Sequence, residues 1–468
     1  MVNFNQHMFR EYDIRGIAGK DLTEDLLVDF GRVFAAHLRD KTGEKKLSVA
    51  IARDGRLSSP GLAKSLALGL CRGGVDVVDI GLAPTPTLYF ATHHFATDAG
   101  IMLTGSHNPP DYNGIKMVRG NSPVYGAEIQ TLKEALLKGV PPLAAKQGEV
   151  RQESIIDVYL DRLVSDFIPG RPLKVIFDCG NGVTGVAAPG LSRRLANFAV
   201  TSEVLFPEVD GNFPNHHPDP TVPKNLVSLR QRMSETGAEL GIAFDGDGDR
   251  IGALDEQGRV VWGDRLMILF GRQILKVNPG SMVIGDVKCS QLLFDAIADA
   301  GGEPLMWKTG HSLVKAKMRE TGAPLAGEMS GHLFFADRYY GFDDALYAAV
   351  RLVELVASQP SVLSERLYGL PTIFATPEMR IDCPDERKFQ VMERVLKEQQ
   401  ESGSDFSDVD GVRVKVPGGW WLLRVSNTQP ALVARVEADS QEGLRKIAGE
   451  VGEILASHGV VFPDWEEA

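Results

Sequence analysis

The chain has 468 residues, 43% hydrophobic and 24% charged. That is enough apolar material for about three or four domains of ~100–200 residues each, and too much for a disordered chain. Its net charge of −12 (50 basic residues against 62 acidic) argues against general binding of nucleic acid or of an anionic membrane surface, although a local basic cluster can still hold a small anion.

The four cysteines, Cys71, Cys179, Cys289 and Cys383, form no CxxC pair, so a zinc ribbon or a disulfide scaffold is not expected. No apolar signal segment opens the chain and no run of about 18 apolar residues occurs, which predicts a cytoplasmic protein without a membrane span. In chain order, runs 47–52, 75–80 and 99–103 read as buried strands. Residues 60–72 read as an amphipathic helix, with Ser59 as N-cap and Pro60 in first position. This alternation predicts α/β layers with largely parallel sheets. The pattern restarts at 173–177 and again at 282–287. Stretch 139–148, followed by a helix reaching Phe167, and the turn 255–258 are the expected linkers. After a boundary near 367–371 the chain reads strand, helix 385–401, two strands around 411–436 and helix 441–457, with 420–425 and 431–436 as a hairpin pair. The expected domains are 1–150, 151–256 and 257–368, all α/β and alike in topology, then an α+β domain at 369–468.

Four loops carry chemistry. Thr104-Gly105-Ser106-His107-Asn108-Pro109-Pro110 follows a strand and must leave its sheet sharply. Ligands in open α/β sheets sit beyond strand C-termini, so Ser106 is a candidate nucleophile there, against the plain reading of a Ser/Asn-Pro turn. A Ser-His-Asp hydrolase fits less well because G-x-S-x-G is absent. Asp245-Gly246-Asp247-Gly248-Asp249-Arg250 follows the apolar run 239–244. Its alternating carboxylates repel one another without a cation, and intervening glycines let the backbone curl around one. An EF-hand is the first rival, but Arg250 stands where that loop needs Gly, and the flanks read as strands. Three carboxylates leave open ligand positions, which suits Mg²⁺ and a phosphoryl oxygen. Gly327-Glu328-Met329-Ser330-Gly331-His332 offers acceptors and a hydroxyl for sugar hydroxyls, or is an ordinary connection. Arg424-Val425-Ser426-Asn427-Thr428-Gln429-Pro430 reads as a phosphate cradle or as a polar hairpin turn. Arg15, Lys116, Lys308 and His311 are scattered positive groups whose value depends on their company.

These loops, with Tyr12-Asp13-Ile14-Arg15-Gly16 and Lys308-Thr309-Gly310-His311, occur in an order that resembles the α-D-phosphohexomutase superfamily, and its bacterial phosphomannomutase/phosphoglucomutase branch most closely. The resemblance spans almost the whole chain. It implies a heart-shaped enzyme whose four domains line one central cleft, the fourth similar to the TATA-box-binding-protein fold. It places Ser106 at the phosphoserine, which also contacts the metal, and Asp245, Asp247 and Asp249 at the Mg²⁺ ligands. Glu328 and Ser330 fall where the 3- and 4-hydroxyls of the sugar are held. Arg424, Ser426, Asn427 and Thr428 fall where the non-reacting phosphate is held. Tyr12, Arg15, Lys116, Arg250, Lys308, His311 and His332 also fall on active-site positions, with Lys116 and His332 expected in proton transfer. Gly105 and Gln429 stand where Ala and Glu are common.

The activity so implied is reversible conversion of hexose 1-phosphate to hexose 6-phosphate, of mannose or glucose, through a phosphoserine. A hexose 1,6-bisphosphate is the intermediate and activator, and it must reorient in the cleft. A monomer is expected, with a hinge near 367–371. Phosphoglucosamine mutase is the alternative within the superfamily, but it usually has Gly where Asn427 stands. A non-catalytic phosphosugar- or metal-binding protein and a phosphatase are the alternatives outside it.

Overall fold

The computed structural model describes residues 4–43, 46–120, 122–426 and 430–465. Its first sheet runs in the order Ile14–Ile17, Tyr112–Arg119, Ala99–Leu103, Ser48–Arg53, Asp76–Leu82, Val150–Gln152, and Ser122–Pro123 adds to Tyr112–Arg119. The last four of that order are parallel, and Tyr112–Arg119 is antiparallel to Ala99–Leu103. The second sheet repeats the plan. Val200–Leu205, Leu173–Asp178 and Leu240–Phe244 are parallel, and Ile251–Leu254 turns back antiparallel on Leu240–Phe244. In the third, Glu303–Trp307, Met282–Asp286 and Leu325–Gly327 are parallel, and Leu333–Phe335 turns back on Leu325–Gly327. Each α/β domain therefore ends its parallel sheet in one antiparallel hairpin, and the loops at 104–111, 245–250 and 328–332 are the tips of those three hairpins. The fourth domain holds a six-stranded antiparallel sheet backed by helices Asp385–Ser402 and Gln441–Ser457.

Four local expectations shift. Ser58 rather than Ser59 stands at the N-cap of helix Ser59–Arg72, without a side-chain cap bond, so Ser59 lies inside the first turn and its hydroxyl donates to Asp54 at 2.5 Å. Stretch 139–148 folds back on the first domain. Ala144 and Gly148 donate to the Arg72 and Cys71 carbonyls, and Val150–Gln152 then joins the first sheet. The turn 255–258 is a β-hairpin inside the second sheet, pinned by Asp255 Oδ1 accepting from the Gln257 and Arg259 N–H groups. Between 411 and 436 there are three strands, Val412–Val416, Gly419–Val425 and most of Ala431–Ala438.

Helix Ala345–Ala357 is buried along its whole length. Its apolar residues belong to one core that also takes side chains from all three α/β sheets, whereas the fourth domain has a core of its own. The three α/β domains are thus welded by shared hydrophobic burial, the dominant favourable term in folding. Among the described residues, no helix is long and apolar enough to cross a membrane.

Candidate active site

The three hairpin tips meet. Ser106 is buried, with a left-handed backbone (φ 49°) that few non-glycine residues adopt. Its hydroxyl donates to Asp245 Oδ2 at 3.1 Å and lies 3.2 Å from His107 Nδ1. Asp245 Oδ1 accepts three backbone N–H groups, from Gly248, Asp249 and Arg250, at 2.9–3.1 Å, which fixes the curl of its loop. Gly248 takes φ 78°, as that curl requires.

Asp245, Asp247 and Asp249 are all fully buried, and one oxygen of each lies within 4.8 Å of the others. Burial raises the Asp245 carboxyl well above the usual range, and Asp249 and Asp247 raise it further. Lys116 supplies part of the missing charge, bonding Asp247 Oδ2 at 2.6 Å and Asp249 Oδ2 at 2.5 Å. Asp247 Oδ1 has no hydrogen-bond partner, and Asp249 Oδ1 has only His332 Nε2, 3.4 Å away. Buried charged oxygens left so are costly, and hard oxygen donors of this kind are what a Mg²⁺-sized cation takes. The triad fits a divalent metal.

Lys116 differs from expectation in one respect. As a base it would need its pKa lowered by burial and nearby cations. Burial does press it down, but Asp247, Asp249 and Asp245 outweigh burial and raise it. In this arrangement it is an ammonium countercharge.

The second and third tips are stitched together. Arg250 and His332 form an isolated antiparallel bridge, and Arg250 Nε lies 3.2 Å from His332 Nε2. His332 is buried, with Nδ1 2.6 Å from Glu328 and Nε2 3.4 Å from Asp249. Burial lowers its pKa, but Asp249 and Glu328 more than reverse this, against Arg250. Burial pushes Glu328 up, yet His332, Lys288 and the Gly310 N–H bring it down to about 2. His311 stacks on His332 at 5.6 Å, and burial lowers its pKa. Ser330 is half-buried at the same tip and Lys308 is exposed.

From the first domain, the Tyr12 hydroxyl donates to the Thr309 carbonyl at 2.7 Å, and Arg15 pairs with Asp13 at 2.8 Å. From the fourth, Arg424 Nε bonds Asp410 at 2.9 Å, and Asp410 also accepts the Thr309 N–H at 3.0 Å. Ser426 is buried and its N–H reaches the Ala431 carbonyl. Asn427 and Thr428 lie outside the described residues.

Some residues at the site carry no motif signal. Thr85 opens a helix, and both its hydroxyl (2.6 Å) and its N–H (2.9 Å) bond Asp247. Lys288 is buried 2.8 Å from Glu378 of the fourth domain. Asp343 stands 3.3 Å from His311 and is held by Lys315 at 2.7 Å. Thr85 comes from a segment far from any hairpin tip, and Asp343 from the stretch that pairs back on Phe334 beside the third tip, so only the tertiary fold brings them in.

Models of the phosphoglucomutase/phosphomannomutase family match this chain domain by domain. The alpha/beta/alpha domains I, II and III match residues 6–139, 157–258 and 262–374, and the C-terminal domain matches 378–454. A phosphomannomutase/phosphoglucomutase of Pseudomonas syringae pv. tomato is 45% identical over 94% of this chain and 93% of its own. The chain belongs to the phosphoglucomutase/phosphomannomutase family. It is a member of the α-D-phosphohexomutase superfamily and an enzyme of that kind. A phosphoglucomutase of Neisseria gonorrhoeae is 44% identical over 98% of both chains. The crystal structure of a family member from Burkholderia thailandensis superposes with a TM-score of 0.90, at 43% identity over 98% of this chain and 100% of that one.

Proposed function

We propose that this phosphohexomutase interconverts the 1- and 6-phosphates of both glucose and mannose by way of a phosphorylated Ser106. The observation that carries this reading is the Ser106 hydroxyl directed at Asp245, 3.1 Å away, at the head of a buried carboxylate triad. Asp245, Asp247, Asp249 and the Ser106 oxygen are the groups that would hold Mg²⁺, which when bound offsets the triad's charge and draws charge from the phosphoryl oxygens.

A hexose 1-phosphate rests its phosphate on Arg424 and Ser426, with Asn427 and Thr428 completing that loop. Tyr12, Arg15 and Lys308 would help position the phosphate. Glu328 and Ser330 take the 3- and 4-hydroxyls. Both Glu328 oxygens already accept one bond, from Gly310 N–H at 2.5 Å and from His332, but each carboxylate oxygen has a second lone pair for a sugar hydroxyl. The 6-hydroxyl oxygen bonds to phosphorus as the Ser106 Oγ–P bond breaks; His332 takes the hydroxyl proton and the freed Ser106 Oγ gains one from solvent to become a hydroxyl again. Lys116 and Arg250 hold positive charge beside the transferring group. The resulting hexose 1,6-bisphosphate turns end over end. The O1–P bond then breaks as Ser106 Oγ, giving its proton to solvent, bonds to the 1-phosphoryl, and the sugar O1 leaves with the proton that His332 took up. A clamp on C3 and C4 lies near the axis of that turn and is blind to C2, where glucose and mannose differ.

The test is turnover of glucose 1-phosphate and mannose 1-phosphate side by side with Mg²⁺ and a trace of bisphosphate, together with intact mass. Comparable kcat/KM for the two sugars is expected. A strong preference for either overturns the dual specificity, and failure on both points to glucosamine 1-phosphate. Ser106→Ala should lose the phosphate adduct and drop turnover by about 10³-fold or more. A retained adduct would refute the nucleophile.

A further inference from the structure

Arg56 is one of the largest fully buried side chains in the protein, with 1% of its surface exposed, and no motif of the active site contains it. Its guanidinium lies beneath the Ser106 loop. Nη2 donates to the carbonyls of Ser106 (2.8 Å) and Asn108 (2.7 Å). Nη1 donates to those of Pro109 (2.5 Å) and Tyr112 (3.0 Å). Nε is held by Asp54 Oδ2 at 3.1 Å, and that same oxygen accepts the Gly105 N–H at 3.1 Å. One planar fork therefore gathers four carbonyls of a single loop.

Two neighbours are shaped to this group. A Cβ on Gly105 would stand 2.4 Å from the Arg56 Cζ, so in this chain an alanine there would have to shift the guanidinium. Gly105 is not among the residues with positive φ, so it is space rather than backbone conformation that a side chain there would contest. On the far side the Phe213 ring of the second domain covers the guanidinium, 5.5 Å away. A bound Arg makes several directed bonds in a fixed plane, whereas a Lys is a compact point charge. The loop it gathers includes Ser106, whose left-handed backbone persists only where its surroundings enforce it.

We propose that Arg56 is the positioning residue for phosphoryl transfer: by binding the carbonyls of Ser106, Asn108, Pro109 and Tyr112 it holds Ser106 in its left-handed conformation, with the hydroxyl on the carboxylate triad. It rests on the reading of Ser106 as the nucleophile. Arg56 touches no substrate in this arrangement, so it acts on the chemical step and leaves sugar binding alone. A misplacement of a reacting group by ~1 Å costs about 10²-fold in rate.

The experiment compares Arg56→Lys, Gly105→Ala and, as a control, Arg351→Lys. The control removes another buried guanidinium, one that pairs with Asp337 away from the cleft. Arg56→Lys should lower kcat by about 10²-fold with KM within about twofold of wild type, and slow phosphorylation of the enzyme by glucose 1,6-bisphosphate, read by intact mass. Gly105→Ala, whose added methyl shifts the guanidinium without deleting it, should lower kcat in the same sense but by less, with KM again unchanged. Arg351→Lys should change stability and leave kcat near wild type. If both loop variants melt with wild-type cooperativity and keep kcat within threefold, the proposal fails. It also fails if they raise KM as much as they lower kcat. Ser106→Ala in the same series separates the two readings: if that variant still carries the adduct, the nucleophile is misassigned, whereas loss of the adduct with normal turnover in Arg56→Lys overturns Arg56 alone.

Discussion

Asp344 shows how one buried carboxyl can shape the pH response of the whole chain. It caps helix Ala345–Ala357 by accepting the Tyr347 N–H at 2.9 Å, and it also accepts the hydroxyls of Tyr159 (2.9 Å) and Tyr339 (2.9 Å). Burial raises its pKa to about 7, against the bonds from Tyr347, Tyr339 and Tyr159 that lower it. Between its ordinary value near 3.8 and about 7, the folded protein holds a proton that the unfolded chain has lost. Stability from this group is therefore intact below pH ~4 and falls as pH rises, by about 4 kcal/mol at most once pH passes ~7. Asp344→Asn keeps a cap oxygen and cannot ionise. Relative to wild type it should gain stability as pH is raised from 5 to 8, measured as urea midpoints. A difference between the two proteins that does not change with pH would refute this account.

The three antiparallel hairpins are one element used three times, and each delivers a different chemistry: hydroxyl, carboxylates, and the Glu328/His332 pair. Their junction depends on Gly331, whose φ of 93° and missing side chain allow its close approach to the Ile251 backbone. The Ile251 N–H donates to the Gly331 carbonyl at 3.1 Å. A Cβ at 331 would stand 2.3 Å from the Ile251 carbonyl oxygen. Gly331→Ala should cost about 1–3 kcal/mol and pull His332 off Asp249. Activity should fall at least tenfold, with a lower urea midpoint, and an unchanged midpoint would show that the junction yields freely.

The strands leading into the first two tips, 99–103 and 240–244, were legible as apolar runs, and the chemistry of the tips as spaced carboxylates and turn residues; the three-residue strand Leu325–Gly327 before the third tip was too short to read. Less legible was that residues 139–152 and 255–261 stay with the sheets before them. Proline, glycine and lysine read as linker, but backbone pairing of Val150–Gln152 with Asp76–Leu82 is not written in side-chain type. Thr85 and Asp343 escaped for a related reason. Single polar residues in apolar surroundings gain meaning only from what faces them, and their partners lie on distant segments.

At the scale of the whole molecule the four domains are unequally joined. The first three share one apolar core, whereas the fourth meets the third across a small apolar patch of Val287, Trp420 and Leu422, with Met306 against it. Polar bonds provide much of that joint. Arg413 donates to the carbonyls of Val287 (2.6 Å) and Cys289 (2.8 Å), and Lys288 pairs with Glu378 at 2.8 Å. Glu437 is its hub: Oε1 accepts Ser290 Oγ at 2.9 Å, Gln291 N–H at 3.2 Å and Trp420 Nε1 at 2.9 Å. Buried donors stripped of their acceptor cost about 1–3 kcal/mol each. Glu437→Ala should therefore loosen the fourth domain before it unfolds any other part. Arg424 would move with it, away from the phosphate it is proposed to hold. The expected outcome is faster proteolysis between residues 367 and 373, by about tenfold, and a raised KM for hexose phosphate, with the α/β domains still melting as wild type. Such a pattern requires the joint to be held by polar bonds at Glu437. If cleavage and KM stay at wild-type values, the small apolar patch holds the domain on its own, and motion of the fourth domain must be sought elsewhere than at this joint.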